Sequence, residues 1–204
     1  MAIQSYAENG VQFLGKGKAD RAGDNLSRIS DLARRMGRII KNLRAFSRQE
    51  SEPAVRVDLT AVVHSAVELT TPRIRNEDVT LHLDMPDTPV WVSGGEVRLG
   101  QVFVNLISNA VDAMAGRDTR HLTITVQDTS VTISDTGPGI ETPDRVFDPI
   151  YTTKEVGASE GMGLGLSISY GIMLGCGGEI HGQNGPQGAV FTVDLQSWTQ
   201  EVAA

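Results

Sequence analysis

The chain has 204 residues, of which 40% are hydrophobic and 21% charged, which is enough for one compact domain with an appendage. It contains no apolar run of about 18 residues and no signal-peptide pattern at its N-terminus, so we predict a soluble, cytoplasmic protein. The single cysteine, Cys176, excludes an internal disulfide and is interpreted as a small buried hydrophobe.

Charge divides the chain into two parts. Residues 1–50 hold ten Lys or Arg against five Asp or Glu, whereas residues 51–204 hold eight against twenty, so the net charges are +5 and −12. Two regions of opposite sign indicate two modules. Pro53 is a natural boundary, because a proline disfavours helix in the residue before it. We therefore predict one domain at 1–50 and another at 51–204.

The first module is predicted to be a helical hairpin. Apolar residues recur at spacings of three and four from Leu26 to Phe46, which is typical of a helix in a four-helix bundle. A similar spacing precedes it, and the glycines of GKGKADRAGDN predict a turn, with Asp24 or Asn25 as the N-cap of the second helix. Two helices cannot enclose so wide a core, so we expect a homodimer in which a second copy supplies the other hairpin.

The second module mixes strands and helices. Asp58 is a candidate N-cap for a helix from Leu59 to Leu69, and a later helix is predicted from Leu164 to Leu174. Strands are predicted at VRVDL, VTLHLDM, PVWVS, HLTITVQD, SVTISD, GGEIHG and GAVFTVDL. Because the later strands follow one another directly, we predict an α+β fold, a two-layer α/β sandwich with a mixed or mostly antiparallel sheet.

The stretch QVFVNLISNAVDAM, residues 101–114, predicts an amphipathic helix with an unusual polar face. The polar stripe carries two amides, Asn105 and Asn109, and no charged residue lies between Arg98 and Asp112. A solvated face normally carries Lys and Glu, so this stripe is unusual for a surface that meets only water. The predicted buried positions of the helix are Leu99, Val102, Phe103, Leu106, Ile107, Ala110 and Met114.

Two glycine-rich segments follow this helix. DTGPGI, residues 135–140, places an acid at the end of a strand and before a Gly-Pro-Gly turn. GMGLGLS, residues 161–167, runs into the next helix, so its backbone N–H groups and the helix dipole could hold an anion. Its glycine spacing differs from the dinucleotide-binding pattern.

Four segments in order, NLISNA, DTGPGI, FDPIYTTK and GMGLGLS, resemble the N, G1, F and G2 boxes of the ATP-binding domain of sensor histidine kinases. The hairpin before them is similar to the dimerisation and histidine-phosphotransfer domain of that family. The segment AIQSYAENG…FL looks most like the subgroup that senses four-carbon dicarboxylates for their transport. The resemblance implies a kinase of a two-component system, with ATP and Mg²⁺ as cofactors and the fold shared with gyrase- and Hsp90-type ATPases.

The resemblance also implies roles for individual residues. Asn109 would hold the Mg²⁺ that bridges the ATP phosphates, Asp135 would accept a hydrogen bond from the adenine amino group, and Lys154 would meet the phosphates from the lid. Asn105 takes the position of the Glu that activates water in gyrase- and Hsp90-type ATPases, and an amide cannot accept that proton, which favours phosphoryl transfer. The remaining nucleotide-binding residues would be Asp112, Gly137, Gly139, Ile140, Thr152, Thr153, Gly161, Gly163, Leu164 and Gly165.

Partners follow from the same resemblance and from charge. Basic residues crowd residues 28–48 against the single acid Asp31, and we expect this surface to dock an acidic response-regulator receiver domain. Nucleic acid is not expected, because no aromatic residues interleave with the cations and the whole chain is acidic. The only membrane contact expected is an inner-membrane anchor in missing N-terminal regions of the full-length protein.

The phosphoacceptor is expected to be missing from this chain. In the family it lies on the first hairpin helix, before a segment like AIQSYAEN, whereas no histidine occurs in residues 1–63 here. We therefore predict that the chain cannot phosphorylate itself on histidine. Two alternatives stay open: a non-catalytic nucleotide-binding scaffold, and a protein-serine kinase of the anti-sigma type, against which the helical hairpin argues. The four histidines show no metal-ligand spacing and are interpreted as structural.

Overall fold

In the computed structural model, the described residues are 2–30, 32–33, 54–148 and 165–199. The chain separates into two compact units, Met1–Arg48 and Gln49–Ala204. The basic residues from Arg34 to Arg48, on which the predicted receiver-docking surface rests, lie outside the described residues.

The first unit contains two helices joined by a short turn. Helix α1 is Ala2–Gly15, and helix α2 includes residues 19–30 and 32–33. They lie side by side, because Arg28 Nη1 donates to Tyr6 Oη at 3.3 Å and the Arg28 guanidinium lies 5.5 Å from the centre of the Tyr6 ring. Gly10 and Ala22 are buried, as the close packing of two helices requires. The two helices therefore form a hairpin within this unit.

The start of α2 differs from the sequence-based expectation. Asp24 and Asn25, the predicted N-caps, lie inside the helix, where Asn25 Nδ2 donates to the Arg21 carbonyl at 2.7 Å. The predicted cap is therefore wrong. The physical reason is that the turn needs only three residues, since Gly17 adopts a φ of +68° and donates to the Leu14 carbonyl at 3.0 Å.

The second unit contains two sheets. The strands are β1 (Val55–Asp58), β2 (Thr80–Asp84), β3 (Trp91–Gly94), β4 (His121–Gln127), β5 (Ser130–Asp135), β6 (Glu179–Asn184) and β7 (Ala189–Asp194). The larger sheet has the order β2-β4-β5-β7-β6, with β2 and β4 parallel and the other neighbours antiparallel. Strands β1 and β3 form a small antiparallel pair. The prediction of a mixed, mostly antiparallel sheet is confirmed.

Three helices accompany the sheets of the second unit. They are α3 (Leu59–Asn76), α4 (Glu96–Ala113) and α5 (Gly165–Gly175), and a short 3₁₀ helix covers Pro143–Arg145. Helix α4 contacts α3, α5 and β5. Burial alternates along β4 and β5, which is the pattern of strands with one face against a core. The predicted α/β sandwich is confirmed, and its central helix is α4.

Helix α3 begins as predicted but extends further. Asp58 Oδ1 accepts from the N–H of Thr60 at 3.1 Å, which is the expected N-cap bond. The helix continues past Leu69 and through Pro72 to Asn76, so the predicted end is wrong. Although a proline removes one backbone donor, the buried face continues to Ile74, which is 5% exposed, and packing outweighs that loss.

Candidate functional site

The polar stripe of α4 is half-buried. Asn105, Asn109 and Asp112 are all of intermediate exposure, and they follow one another at the spacing that places them on one helix face. The opposite, apolar face is confirmed as core, since each of its predicted positions is at most 3% exposed. The amides therefore lie on a surface that the surrounding fold partly encloses.

Asp135 lies at the end of β5 and is only 3% exposed. Its Oδ1 accepts from the backbone N–H of Gly137 at 2.8 Å and of Ala189 at 3.2 Å. Burial raises the pKa of Asp135, while these two hydrogen bonds and the charge of Arg117 act in the opposite direction without cancelling the effect. Both bonds go to one oxygen, so they leave Oδ2 for another donor.

The turn after Asp135 is packed between α4 and the β6–β7 hairpin. A Cβ on Gly137 would lie 3.0 Å from the Ala113 Cβ at the end of α4. A Cβ on Gly188, in the hairpin, would lie 2.8 Å from the Gly137 nitrogen, closer than real Cβ atoms come. The absence of a side chain at Gly188 therefore lets the hairpin backbone approach the turn.

Asn105 connects α4 to α5. Its Nδ2 donates to the hydroxyl of Ser169 at 3.0 Å, and Ser169 is 1% exposed. A Cβ on Gly165, the first residue of α5, would overlap the Asn105 side-chain oxygen. The predicted site residues Asn105 and Gly165 are thus in direct contact, and the amide of Asn105 holds the start of α5 against α4.

Asp112 is paired with a cation that the sequence did not indicate. Arg73, in the last turn of α3, forms a salt bridge with Asp112, and the two side chains are 34% and 17% exposed. The carboxylate is therefore partly neutralised from within the fold. Whether Asp112 contacts a nucleotide stays a prediction.

The structure brings together the α4 stripe, the Asp135 turn and the start of α5, but part of the predicted site lies elsewhere. Six predicted residues, Thr152, Thr153, Lys154, Gly161, Gly163 and Leu164, lie outside the described residues. Sequence reasoning missed the residues that support the site from other elements, namely Arg73, Ser169, Asn184, Gly188 and Ala189. The signal for two of them was the GA pair in GPQGAVF, which was interpreted only as the start of a strand.

Within the described ranges, His, Cys, Asp and Glu side chains form no group of three or more that could hold a metal ion. No helix in that part of the chain is long and apolar enough to cross a membrane.

Comparison with known proteins gives consistent matches. A family model described as "Histidine kinase-, DNA gyrase B-, and HSP90-like ATPase" matches residues 94–198. The chain is 36% identical over 211 residues to the C4-dicarboxylate transport sensor protein DctB of Pseudomonas aeruginosa, and 32% identical over 200 residues to that of Rhizobium meliloti. These alignments cover 100% and 95% of this chain but 34% and 32% of the relatives, so the chain spans about a third of their length.

Solved structures agree with the fold. The catalytic domain of histidine kinase ThkA is 27% identical with a TM-score of 0.60, and the match covers 72% of this chain and 97% of that one. A structure of histidine kinase ThkA in complex with response regulator protein TrrA also matches this chain, with 22% identity and a TM-score of 0.63. That second match covers 85% of this chain and 52% of that chain.

Proposed function

The chain belongs to the family of histidine kinase-, DNA gyrase B- and HSP90-like ATPases, and from that premise we propose that it binds Mg-ATP and transfers the γ-phosphoryl group to a histidine. Its similarity to the DctB sensors places it with the dicarboxylate-sensor subgroup of histidine kinases. The observation that carries the proposal is the buried Asp135 carboxylate, held by one oxygen at the end of β5 and next to the amide-bearing helix.

Asp135 is proposed to select the adenine base. Its Oδ1 is occupied by two backbone N–H groups, so Oδ2 can accept a hydrogen bond from the amino group of adenine. Guanine presents a carbonyl oxygen at the corresponding position, and two acceptors facing each other in a buried site are unfavourable. This geometry supports preference for adenine over guanine.

Asn109 is the proposed magnesium ligand. A neutral amide oxygen suits Mg²⁺, which keeps several waters and takes much of its coordination from phosphate oxygens. Asn109 is half-buried on the α4 face that also carries Asn105, which leaves it accessible to such an ion, and the phosphates would supply the negative charge. When bound, Mg²⁺ neutralises charge on the phosphates during transfer.

Asn105 supports transfer over hydrolysis. Hydrolysis needs a base that accepts a proton from water, and an amide cannot do this. The bond from Asn105 Nδ2 to Ser169 fixes the amide in a supporting role at the junction of α4 and α5. Asn105 is therefore proposed to shape the phosphate end of the site, with Lys154 supplying a cation from the lid.

The phosphoryl acceptors are proposed to lie outside residues 1–204. Residues 1–63 contain no histidine, so the acceptor histidine would come from outside this segment and the next acceptor from a response regulator. The complex of ThkA with TrrA is a precedent for the second partner in a protein of similar fold. We further propose that this part of the protein acts in the cytoplasm, where ATP is available.

The test is nucleotide binding by the purified chain, measured by isothermal titration with Mg²⁺. We expect ATP to bind and Asp135→Asn to weaken it about 10- to 100-fold, because a hydrogen bond to a charged group contributes about 1.5–3 kcal/mol. Asp128→Asn, at the exposed turn before β5, is the matched control and should bind ATP as the wild type does. Equal affinity in the Asp135→Asn chain would remove Asp135 from the site.

A second candidate is a nucleotide-binding scaffold without catalysis. Residues 1–63 contain no histidine, so this segment by itself offers no acceptor there that would distinguish the two functions. Transfer of label from ATP to a supplied histidine-bearing hairpin would distinguish a kinase from a scaffold. The third class, a protein-serine kinase, would leave acid-stable phosphoserine on its substrate.

A further inference from the structure

The β6–β7 hairpin contacts both ends of the turn that follows Asp135. Asn184 is the last residue of β6 and Ala189 the first of β7, and the two are partners across the ladder. The Ala189 N–H donates to Asp135 Oδ1 at 3.2 Å, at the start of the turn. At its end, Asn184 Oδ1 accepts from the N–H of Ile140 at 2.5 Å and Asn184 Nδ2 donates to the Ile140 carbonyl at 2.9 Å.

The side chain of Asn184 is directed at the turn and not at its own hairpin. The hairpin closes by its backbone, where the Gly185 N–H donates to the Gly188 carbonyl at 2.8 Å. Both polar atoms of the Asn184 side chain, Oδ1 and Nδ2, form hydrogen bonds with the backbone of Ile140, which lies 44 positions away in the chain. A residue needed only for the hairpin would not require these two bonds.

The turn is built to receive this amide. Gly139 has a φ of +82°, and a Cβ there would lie 2.6 Å from Asn184 Oδ1. Any other residue at 139 would therefore be strained by its backbone and would also displace Asn184. The backbone of residues 139 and 140 is thus fixed relative to the same hairpin that donates to the Asp135 carboxylate.

We propose that Asn184 is a positioning residue of the nucleotide site, which fixes the turn at 135–140 in the conformation that receives the base. The inference rests on the proposed function. Asn184 acts through Gly139 and Ile140 and does not itself contact the nucleotide. Because Asn184 is exposed, its removal lets water satisfy the Ile140 backbone, so the fold is retained while the turn loses its preorganised geometry.

The experiment compares Mg-ATP binding, by isothermal titration, in wild type, Asn184→Ala, Asn184→Asp and the control Gln183→Ala. Gln183 is the exposed neighbour on β6. We expect Asn184→Ala to raise the Kd for ATP about tenfold, roughly the effect of losing one or two ordinary hydrogen bonds. Asn184→Asp should lie between, since a carboxylate still accepts from the Ile140 N–H but cannot donate to its carbonyl. Gln183→Ala should match the wild type.

A second readout separates positioning from general stability. Hydrogen exchange of the Ile140 amide, measured without nucleotide, should be faster in Asn184→Ala, while the Tm of the variant stays close to that of the wild type. On the Asp135→Asn background, Asn184→Ala should add less than its tenfold effect, because both changes act on one turn. Full additivity would assign Asn184 a role unrelated to the base.

The outcomes also separate this inference from the proposed function. If the wild type binds ATP and Asn184→Ala binds it equally well, the positioning role is wrong and the proposed function stands. If the wild-type chain does not bind ATP, the proposed function fails and the inference fails with it. If Asn184→Ala does not fold, equal binding by wild type and Asn184→Asp would overturn the role in the same way.

Discussion

At Asp135 the requirements of binding and of stability are opposed. The carboxylate is useful to a ligand because it is buried and held by two N–H groups. For the same reason the folded protein bears the cost of removing a charge from water, which raises the pKa of the group. Residues that serve a ligand often reduce the stability of the free protein in this way.

Asp135→Asn is therefore expected to stabilise the free protein while it weakens ATP binding. An acid whose folded pKa is raised contributes most to stability below its unfolded pKa of about 3.9, and that contribution is lost as pH rises through the folded value. Asparagine does not titrate, so the Asp135→Asn variant does not lose this stability as pH rises. Urea unfolding between pH 4 and pH 8 should show the variant gaining stability over the wild type as pH rises.

The control for this pH series is Asp128→Asn, which removes one negative charge from an exposed turn. Its stability difference from the wild type should stay nearly constant across the same pH range. If the free energy of unfolding of the wild type and of Asp135→Asn changed in parallel with pH, the buried carboxyl would not be the cause of the pH dependence.

At the level of elements, the junction of α4 and α5 depends on a residue without a side chain. A Cβ on Gly165 would overlap the Asn105 amide, which is bonded to buried Ser169. We expect Gly165→Ala to lower the free energy of unfolding by about 1–2 kcal/mol, since overpacking outweighs the gain in helix propensity. Urea unfolding measures the change.

Two comparisons make this prediction specific. Gly175→Ala, at the other end of α5, meets no atom within 4 Å and should be neutral or slightly stabilising. In an Asn105→Ala background the cost of Gly165→Ala should shrink, because the overlapping amide is gone. An undiminished cost in that background would place the strain somewhere other than at Asn105.

Periodicity predicted elements well where one face is buried throughout. The apolar positions of α4 and the Asp58 cap of α3 were read correctly because each depends on neighbours within one or two turns. The ends of helices were less predictable. Helix α3 passes through Pro72 because Ile74 remains in the core, and a local rule about proline does not include such packing.

The site was predictable to the extent that its motifs are local. Asp135 and the α4 amides were named as candidate site residues from sequence motifs, whereas the residues that contact them come from distant segments. Arg73 meets Asp112 across 39 positions and Asn184 meets Ile140 across 44. Spacing along the chain contains no information about such pairs, because they exist only once the sheet and helices have packed.

For the whole molecule, the first unit leaves apolar side chains in contact with water. Val11, Leu14 and Leu26 are 70%, 60% and 60% exposed in the hairpin, and fully burying such a side chain is worth about 1.5–3 kcal/mol. We expect the chain to form a homodimer through this surface. Light scattering after size exclusion should give a dimer mass, and Leu26→Glu should shift it toward the monomer while the Kd for ATP is unchanged.

A monomeric wild type over the micromolar range would contradict the homodimer. The matched control for Leu26→Glu is Ser27→Glu, because Ser27 is an exposed polar neighbour on the same helix. It adds the same charge without removing an apolar contact, so it should leave the dimer intact.

Residues 1–63 contain no histidine, so transfer by a polypeptide of residues 1–204 should be observed on an added acceptor. With labelled ATP and Mg²⁺ alone, we expect no acid-labile phosphate on this chain. With a separately supplied hairpin that carries a histidine, label should appear on that hairpin. It should then pass to a receiver domain, as expected for a phosphoryl group on nitrogen.

The Asp135→Asn variant should slow the first transfer step, from ATP to the histidine, in proportion to its loss of ATP affinity when ATP is subsaturating. Saturating ATP should restore much of the rate. Acid-labile label on this polypeptide itself would mean that one of its own residues is an acceptor and would contradict transfer in trans.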